Sequence, residues 1–211
     1  MADLQELYKA IVEGNLNVAK SITQEAMEEQ IEPQVIINEH MSKAMQEIGK
    51  RFEEGKAFVP ELLMSARAMK GALDIVKPHM AQSGTTSLGT VVIGTVKGDL
   101  HDIGKNLVAS MLEGCGFKVV NLGSDISSDK FVAAVKEHHA QIVCLSALLT
   151  TTMHYMQKVI QALEEEGIRQ QVKVMIGGAP VSEAFAHQIG ADGYSENANA
   201  AVTLARTLVS A

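Results

Sequence analysis

The chain has 211 residues, 46% hydrophobic and 20% charged, with 18 Lys and Arg against 25 Asp and Glu for a net charge of −7. That length makes one large domain or two small ones with ample material for cores, and it excludes disordered, collagen-like and low-complexity chains. The acidic balance is diffuse and Lys97, Lys105 and Lys118 are scattered, which argues against a nucleic-acid partner. No apolar run approaches the roughly 20 residues that span a bilayer, so no membrane association is expected. The opening MADLQELYKAIVEG lacks a basic region followed by an apolar one, hence no secretory signal. Cys115 and Cys144 have no partner at metal-ligand spacing, and two lone thiols suit a reducing cytoplasm. With 4% aromatics, no Trp and 11 Met, adaptable methionines must fill much of the core.

The first half is patterned for helices. Leu4, Leu7, Tyr8, Ile11 and Val12 recur at three- and four-residue steps until Gly14-Asn15. Val18, Ile22, Ala26 and Met27 form a second stripe. Pro33 opens a third helix carrying Ile36, Ile37, Met41, Ala44, Met45, Ile48 and Phe52. Pro60 starts a fourth, with Leu62, Leu63, Ala66, Met69, Leu73 and Val76, expected to end near Pro78. Short connections between four amphipathic helices predict a bundle over residues 1–80. The small, polar stretch from Ala81 to Gly89 has linker chemistry.

Thereafter the period changes. Gly89–Val96 is a β-branched run suited to a strand buried on both faces, and Asn106–Cys115 has helical spacing. Phe117–Asn121 is a second strand, and Ser128, in the pair Ser127-Ser128, is expected to cap a helix running to His139. Ile142–Leu145 is the third strand, Met153–Glu166 a helix and Val172–Ile176 the fourth strand. Ser182 caps the next helix, Gly193-Tyr194 ends a short fifth strand, and Ala200–Leu208 closes the chain as a helix. Strict alternation predicts an α/β fold over residues 90–211, a doubly wound, flavodoxin-like parallel sheet in the order 2-1-3-4-5.

Ligands of such sheets bind beyond the carboxyl ends of the strands, between the first and third. There the chain supplies KGDLHDIGKN (Lys97–Asn106), SALLTTT (Ser146–Thr152) and GGAPVS (Gly177–Ser182). Asp99 and His101, two apart in extended chain, would point to one side. A carboxylate there fixes the imidazole tautomer and leaves the other ring nitrogen as metal ligand or base. Ser146 is expected to hydrogen-bond Asp99, and Gly104 leaves the backbone open to something bulky. Singly, an Asp-x-His pair is a local hydrogen bond, Gly177-Gly178 a tight turn and Ser146 a cap. Together at adjacent strand ends they define a pocket with a histidine donor. A lone imidazole cannot hold catalytic zinc, which takes about three protein ligands. Asp102 is near, but His138-His139 ends a helix and points to solvent. A phosphorelay fails for want of a lysine on the fifth strand, and no GxGxxG or Walker loop is present.

Asp99-x-His101-x-x-Gly104, then Ser146-x-Leu148, then Gly177-Gly178, resembles the cobalamin-binding signature shared by methionine synthase, corrinoid methyl carriers and some adenosylcobalamin mutases. VKGDLHDIGKNLV is similar to the methyl-transfer branch, and FVPELLMSARAM (Phe58–Met69) resembles the helical cap of methyltransferase corrinoid proteins. The resemblance implies cobalamin (methylcobalamin and cob(I)alamin) as cofactor, bound in a Rossmann-type B12-binding domain with its own base displaced and His101 as the cobalt axial ligand. By the same resemblance, Asp99 and Ser146 stand behind His101 in a relay that takes up or releases a proton. Asp102 and Ile103 lie within the signature. Gly94, Gly104, Ser146, Gly177 and Gly178 leave room for the displaced tail, with Leu148 and Thr150 lining its slot. Phe58, Val59, Leu62, Leu63, Met64 and Met69 are candidates to shield the cofactor's upper face.

The resemblance further implies a cytoplasmic methyl carrier, not catalytic alone. It would serve a substrate-specific methyltransferase and a second one acting on tetrahydrofolate or a thiol, with a reductive activator of cob(II)alamin. The chain has no room for a substrate barrel of about 250 residues, which points to separate partners. A cobalamin-dependent sensor or regulator, a mutase cofactor subunit, and a B12 storage module are the alternatives.

Overall fold

The computed structural model describes residues 2–80 and 88–210. The chain divides into two compact units, Met1–Ser87 with Ser110–Gly116, and Leu88–Ala109 with Phe117–Ala211. The expected linker, 81–89, falls outside the described residues for all but its last two positions.

In the first unit α1 (Leu4–Val12) starts at Asp3, whose carboxylate accepts the backbone N–H of Gln5 and Glu6, both at 3.0 Å. These are donors the helix itself cannot satisfy. Asn15 does the same for α2 (Leu16–Glu28), accepting from Val18 N–H at 3.3 Å. The third helix, α3, is unbroken but not uniform. Pro33–Val35 is α-helical, Ile36–Met41 is a π-helical stretch and Ser42–Glu53 returns to α. The widened turn keeps both Ile36 and Met41 fully buried. The fourth helix, α4 (Val59–Met80), runs past Pro78, beyond its expected end. So near the terminus a proline forfeits only a last-turn bond. Leu7, Ile11, Ala19, Leu62, Met69 and Ala72 fill the interior. Ser65, also buried, donates through Oγ to the Val12 carbonyl at 2.9 Å, satisfying an orphan acceptor at the end of α1.

From Thr90 on, the chain alternates β1 (Thr90–Thr95), α5 (Ile103–Gly114), β2 (Lys118–Asn121), α6 (Ser128–His138), β3 (Ile142–Ser146), α7 (His154–Glu165), β4 (Lys173–Gly177), α8 (Glu183–Ile189), β5 (Gly193–Ser195) and α9 (Ala198–Ser210). All pairings are parallel and the order is β2-β1-β3-β4-β5, as the alternation predicts. Val92, Val143, Leu145, Val174 and Ile176 from the strands pack with Phe131, Met156 and Val159 from the helices. Burial on both faces explains why these strands have no alternating pattern. As predicted, Ser182 caps α8, its Oγ accepting from Phe185 N–H at 3.3 Å. α5 begins at Ile103, three residues before the expected Asn106. The polar IGKN turn is already helical, with Asn106 N–H donating to the Asp102 carbonyl at 2.8 Å. Among the described residues no helix is long and apolar enough to cross a membrane.

Candidate functional site

Four strands end level with one another. Thr95 pairs with Ser146, Ser146 with Gly177, and Gly177 with Ser195, so the loops leaving β1, β3 and β4 start from one row. This register brings residues 95–104, 146–152 and 177–181 to the same edge of the sheet.

The loop after β1 turns at Gly98, whose φ of +79° is in the left-handed region, and whose N–H is held by Asp125 Oδ1 at 2.8 Å. The next residue, Asp99, is fully buried. Its Oδ1 accepts from the backbone N–H of His101 at 3.1 Å and from His101 Nδ1 at 2.7 Å. The pair therefore meets through a turn in which Asp99 holds both main chain and ring, and not through the same-side geometry of an extended chain. Thr95, fully buried at the end of β1, donates through Oγ1 to the His101 carbonyl at 2.9 Å and fixes the loop from the other side.

The other carboxylate oxygen looks toward β3. Oδ2 accepts from Leu148 N–H at 2.8 Å, Leu149 N–H at 3.2 Å and Thr152 Oγ1 at 2.8 Å. Burial opposes ionisation of this carboxyl, but the bonds from Leu148, His101 and Thr152 outweigh it and hold Asp99 well below the usual carboxylate range. Asp99 is thus a fixed anion at neutral pH. It keeps the proton of His101 on Nδ1 and turns Nε2 away from itself. The imidazole is half exposed.

The expected partner, Ser146, is not among these donors. It ends β3 in register with Thr95, and its carbonyl accepts from Val96 N–H at 3.0 Å. The hydroxyl that reaches Asp99 belongs to Thr152, six residues on, because the turn over 148–152 carries the chain back across Asp99. Gly94 is also reassigned. A Cβ there would lie 2.8 Å from the end of the Phe131 ring, so the space its missing side chain leaves is filled by α6 and not by a ligand. Gly178, with φ +129°, has its Cβ position 1.9 Å from the Ala147 carbonyl oxygen, a close approach of backbone to backbone. At Gly177 a Cβ would come within 3.0 Å of the Ser195 carbonyl oxygen. Gly104 differs from all three: nothing lies within 4 Å of a Cβ placed there.

Around His101 the surface is apolar. Leu100 and Ile103 are 73% and 84% exposed, and Leu148 and Leu149 are also exposed, as is Thr150. Behind them Lys105 is buried, donating to Asn121 Oδ1 at 2.7 Å, while Asn106 Nδ2 donates to Asp102 Oδ2 at 3.0 Å. Burial pushes the Lys105 ammonium down, and Asp102 only partly restores it. Cys144, two residues before Ser146, is buried with its Sγ 4.0 Å from Met175 Sδ, and burial pushes its thiol up to about 12. In the helical unit the shielding candidates separate: Leu62 and Met69 are core, whereas Phe58, Val59, Leu63 and Met64 are exposed.

Among the described residues no group of three or more His, Cys, Asp or Glu could hold a metal ion. One imidazole suits a metal that arrives with its other ligands already in place. The exposed leucines, Ile103 and the open space over Gly104 suit a broad apolar ring. The residues present therefore fit a corrinoid.

Fold and site define a doubly wound α/β protein with one half-exposed histidine, backed by a buried carboxylate, at the carboxyl edge of its sheet. The B12 binding domain family matches residues 89–203, and a second B12 binding domain model matches residues 3–77. Trimethylamine corrinoid protein 1 of Methanosarcina acetivorans is 45% identical over 202 residues, covering 95% of this chain and 94% of that one. The dimethylamine corrinoid protein of Methanosarcina barkeri is 43% identical over 207 residues, covering 98% and 97%. Among solved structures, a cobalamin-binding protein from Desulfitobacterium hafniense superposes with TM-score 0.84 at 32% identity over 99% of both chains. The methanol:cobalamin methyltransferase complex MtaBC from M. barkeri gives 0.80 at 33% identity, covering 98% of this chain and 79% of that one. The chain belongs to the B12-binding corrinoid proteins of methyltransferase systems, and a corrinoid is its cofactor.

Proposed function

We propose that this protein carries its corrinoid with the cofactor's own base displaced and His101 coordinating cobalt through Nε2. The reading also has it pass a methyl group, in the cytoplasm, from a substrate-specific methyltransferase to a second one that uses tetrahydrofolate or a thiol. Residues 1–80 serve as the cap, 81–89 as the linker and 90–211 as the cofactor domain, and a reductive activator restores cobalt that has lost an electron. When bound, the corrinoid supplies a metal that accepts and gives up methyl. The chain's own part is to hold the donor. Asp99 fixes the tautomer, Thr95 fixes the His101 backbone, and Gly104 with the flanking apolar side chains leaves a dry, open bed for the ring.

The Asp99–His101 bond of 2.7 Å, with Nε2 turned outward, is the observation that carries this reading. Relatives named for trimethylamine and dimethylamine support a methylated amine as first donor. The test uses protein grown with 15N-histidine and loaded with cob(II)alamin. One 15N nucleus on cobalt splits each electron-resonance line into a doublet, whereas the cofactor's own 14N base gives a triplet. A doublet that disappears in His101→Ala supports His101 as ligand. A triplet in wild type, or no corrin retained at all, overturns it.

A further inference from the structure

We infer that Asp125, in the loop between β2 and α6, is a positioning residue for the Asp99–His101 pair, because it grips the turn that delivers Asp99 at two points. The inference deepens the reading of His101 as cobalt ligand and rests on it. Among the described residues three with side chains have a positive φ: Gln30 at +57°, Asp125 at +57° and His139 at +48°. Gln30 follows the end of α2 and His139 caps α6, which are ordinary places for left-handed backbone. Asp125 ends no helix. Its conformation is unfavourable for residues other than glycine and persists only where the surroundings impose it.

Those surroundings are the exit of β1. Past the paired strands the loop continues alongside it: Thr95 N–H donates to the Gly123 carbonyl and Ile126 N–H to the Thr95 carbonyl, each at 3.0 Å, and Ile126 is buried. Between these anchors Asp125 faces the turn from Val96 to Asp99. Its N–H donates to the Asp99 carbonyl at 3.0 Å, and its Oδ1 accepts from Gly98 N–H at 2.8 Å. In the left-handed conformation the N–H and the carboxylate of Asp125 thus reach the same short segment. The turn's own bond, from Asp99 N–H to the Val96 carbonyl, is longer at 3.2 Å, and both Lys97 and Gly98 are exposed. The five donors to the Asp99 carboxylate fix the end of that side chain, whereas Asp125 fixes the backbone from which it starts. Without the Asp125 carboxylate, Gly98 is free to swing. The Asp99 Oδ1 that holds His101 Nδ1 then loses its fixed place.

The experiment compares Asp125→Gly and Asp125→Asn with wild type in 15N-histidine protein. Glycine keeps the left-handed backbone without steric cost, so it removes the side-chain bond and leaves the fold. Asparagine tolerates the same φ and offers an oxygen to Gly98 N–H. One readout is taken without cofactor: the separation of the two His101 ring 15N shifts, which is widest when the proton stays on one nitrogen. The other is the fraction of 15N doublet in protein loaded with cob(II)alamin. Asp125→Gly should narrow the separation and lower the ratio of histidine-on to histidine-off cobalt about fivefold, the contribution of one net hydrogen bond. Asp125→Asn should match wild type in both. Ring shifts or a doublet ratio unchanged in Asp125→Gly overturn the role of Asp125, and so does an asparagine variant that behaves like the glycine one. Absence of the doublet in wild type overturns instead the reading of His101 as ligand, while the ring shifts still decide whether Asp125 holds the pair.

Discussion

The interior of the parallel sheet and its carboxyl rim are made from overlapping residue types put to different ends. Inside, Gly94 is missing a side chain because the Phe131 ring needs the space, and β-branched residues fill both faces. At the rim, five donors converge on one buried carboxylate while leucines and Ile103 are left exposed around a single imidazole. Stability resides mainly in the first region and recognition in the second. Substitutions should therefore separate them.

Gly178 is the sharpest challenge to that division, for it stands at the rim yet is required by the backbone. Alanine there would place a Cβ 1.9 Å from the Ala147 oxygen at φ +129°. Unfolding in urea should show a loss of about 3 kcal/mol or more. An unchanged midpoint would mean that this crossing relaxes freely. Gly94→Ala forces the Phe131 ring aside and should cost about 1–3 kcal/mol by the same measurement. Because the ring sits within the sheet's core, corrin retained per folded protein should stay as in wild type. A specific loss of corrin would return Gly94 to the ligand.

Gly104→Ala reverses the pattern. It adds a methyl group into open space in the first turn of α5, so thermal unfolding of the cofactor-free protein should be unchanged or slightly higher. Corrin affinity should fall about tenfold, roughly 1.4 kcal/mol, measured by absorbance after desalting at stepped protein concentrations. Equal affinity would show that the ring does not approach this backbone.

The smallest effect concerns Lys105, whose burial lowers its pKa from an unfolded value of 10.5. Between the folded and unfolded values the unfolded chain holds more protons, so stability contributed through this group rises with pH in that window. The slope is at most about 1.4 kcal/mol per pH unit for one proton. Below the folded value the charged amine is a constant burden. Urea titrations from neutral pH toward pH 10 should show this rise in wild type and a shallower one in Lys105→Met. Parallel curves would mean that Asn121, Asn106 and Asp102 hold the ammonium without penalty.

The fold was largely legible because period and punctuation carry it: a change from helical stripes to β-branched runs, Gly14-Asn15 at the end of the first helix, and Ser182 and Pro33 at helix starts. The π-helical stretch over Ile36–Met41 was not, since one widened turn leaves the apolar spacing almost unchanged. Asp99 and His101 were visible as neighbours in sequence. Thr152 was hidden because its partner is 53 positions away, and only the turn after β3 decides which of several hydroxyls comes back across the carboxylate. Thr95 was concealed differently: in a buried strand a threonine passes for another β-branched residue. Gly94 misled because a glycine in a strand announces a close approach without saying by what.

The state of Cys144 bears on a hazard particular to methyl carriage. A protein that holds an electrophilic methyl group has to survive its own cargo, and the best acceptor an ordinary chain offers is a thiolate. Cys144 lies on the very strand that leads to the site, yet its thiol, pushed up to about 12 and enclosed beside Met175, has almost no thiolate to offer near neutral pH. Burial here works as chemical insulation, keeping the carrier from becoming the final acceptor of what it is meant to deliver.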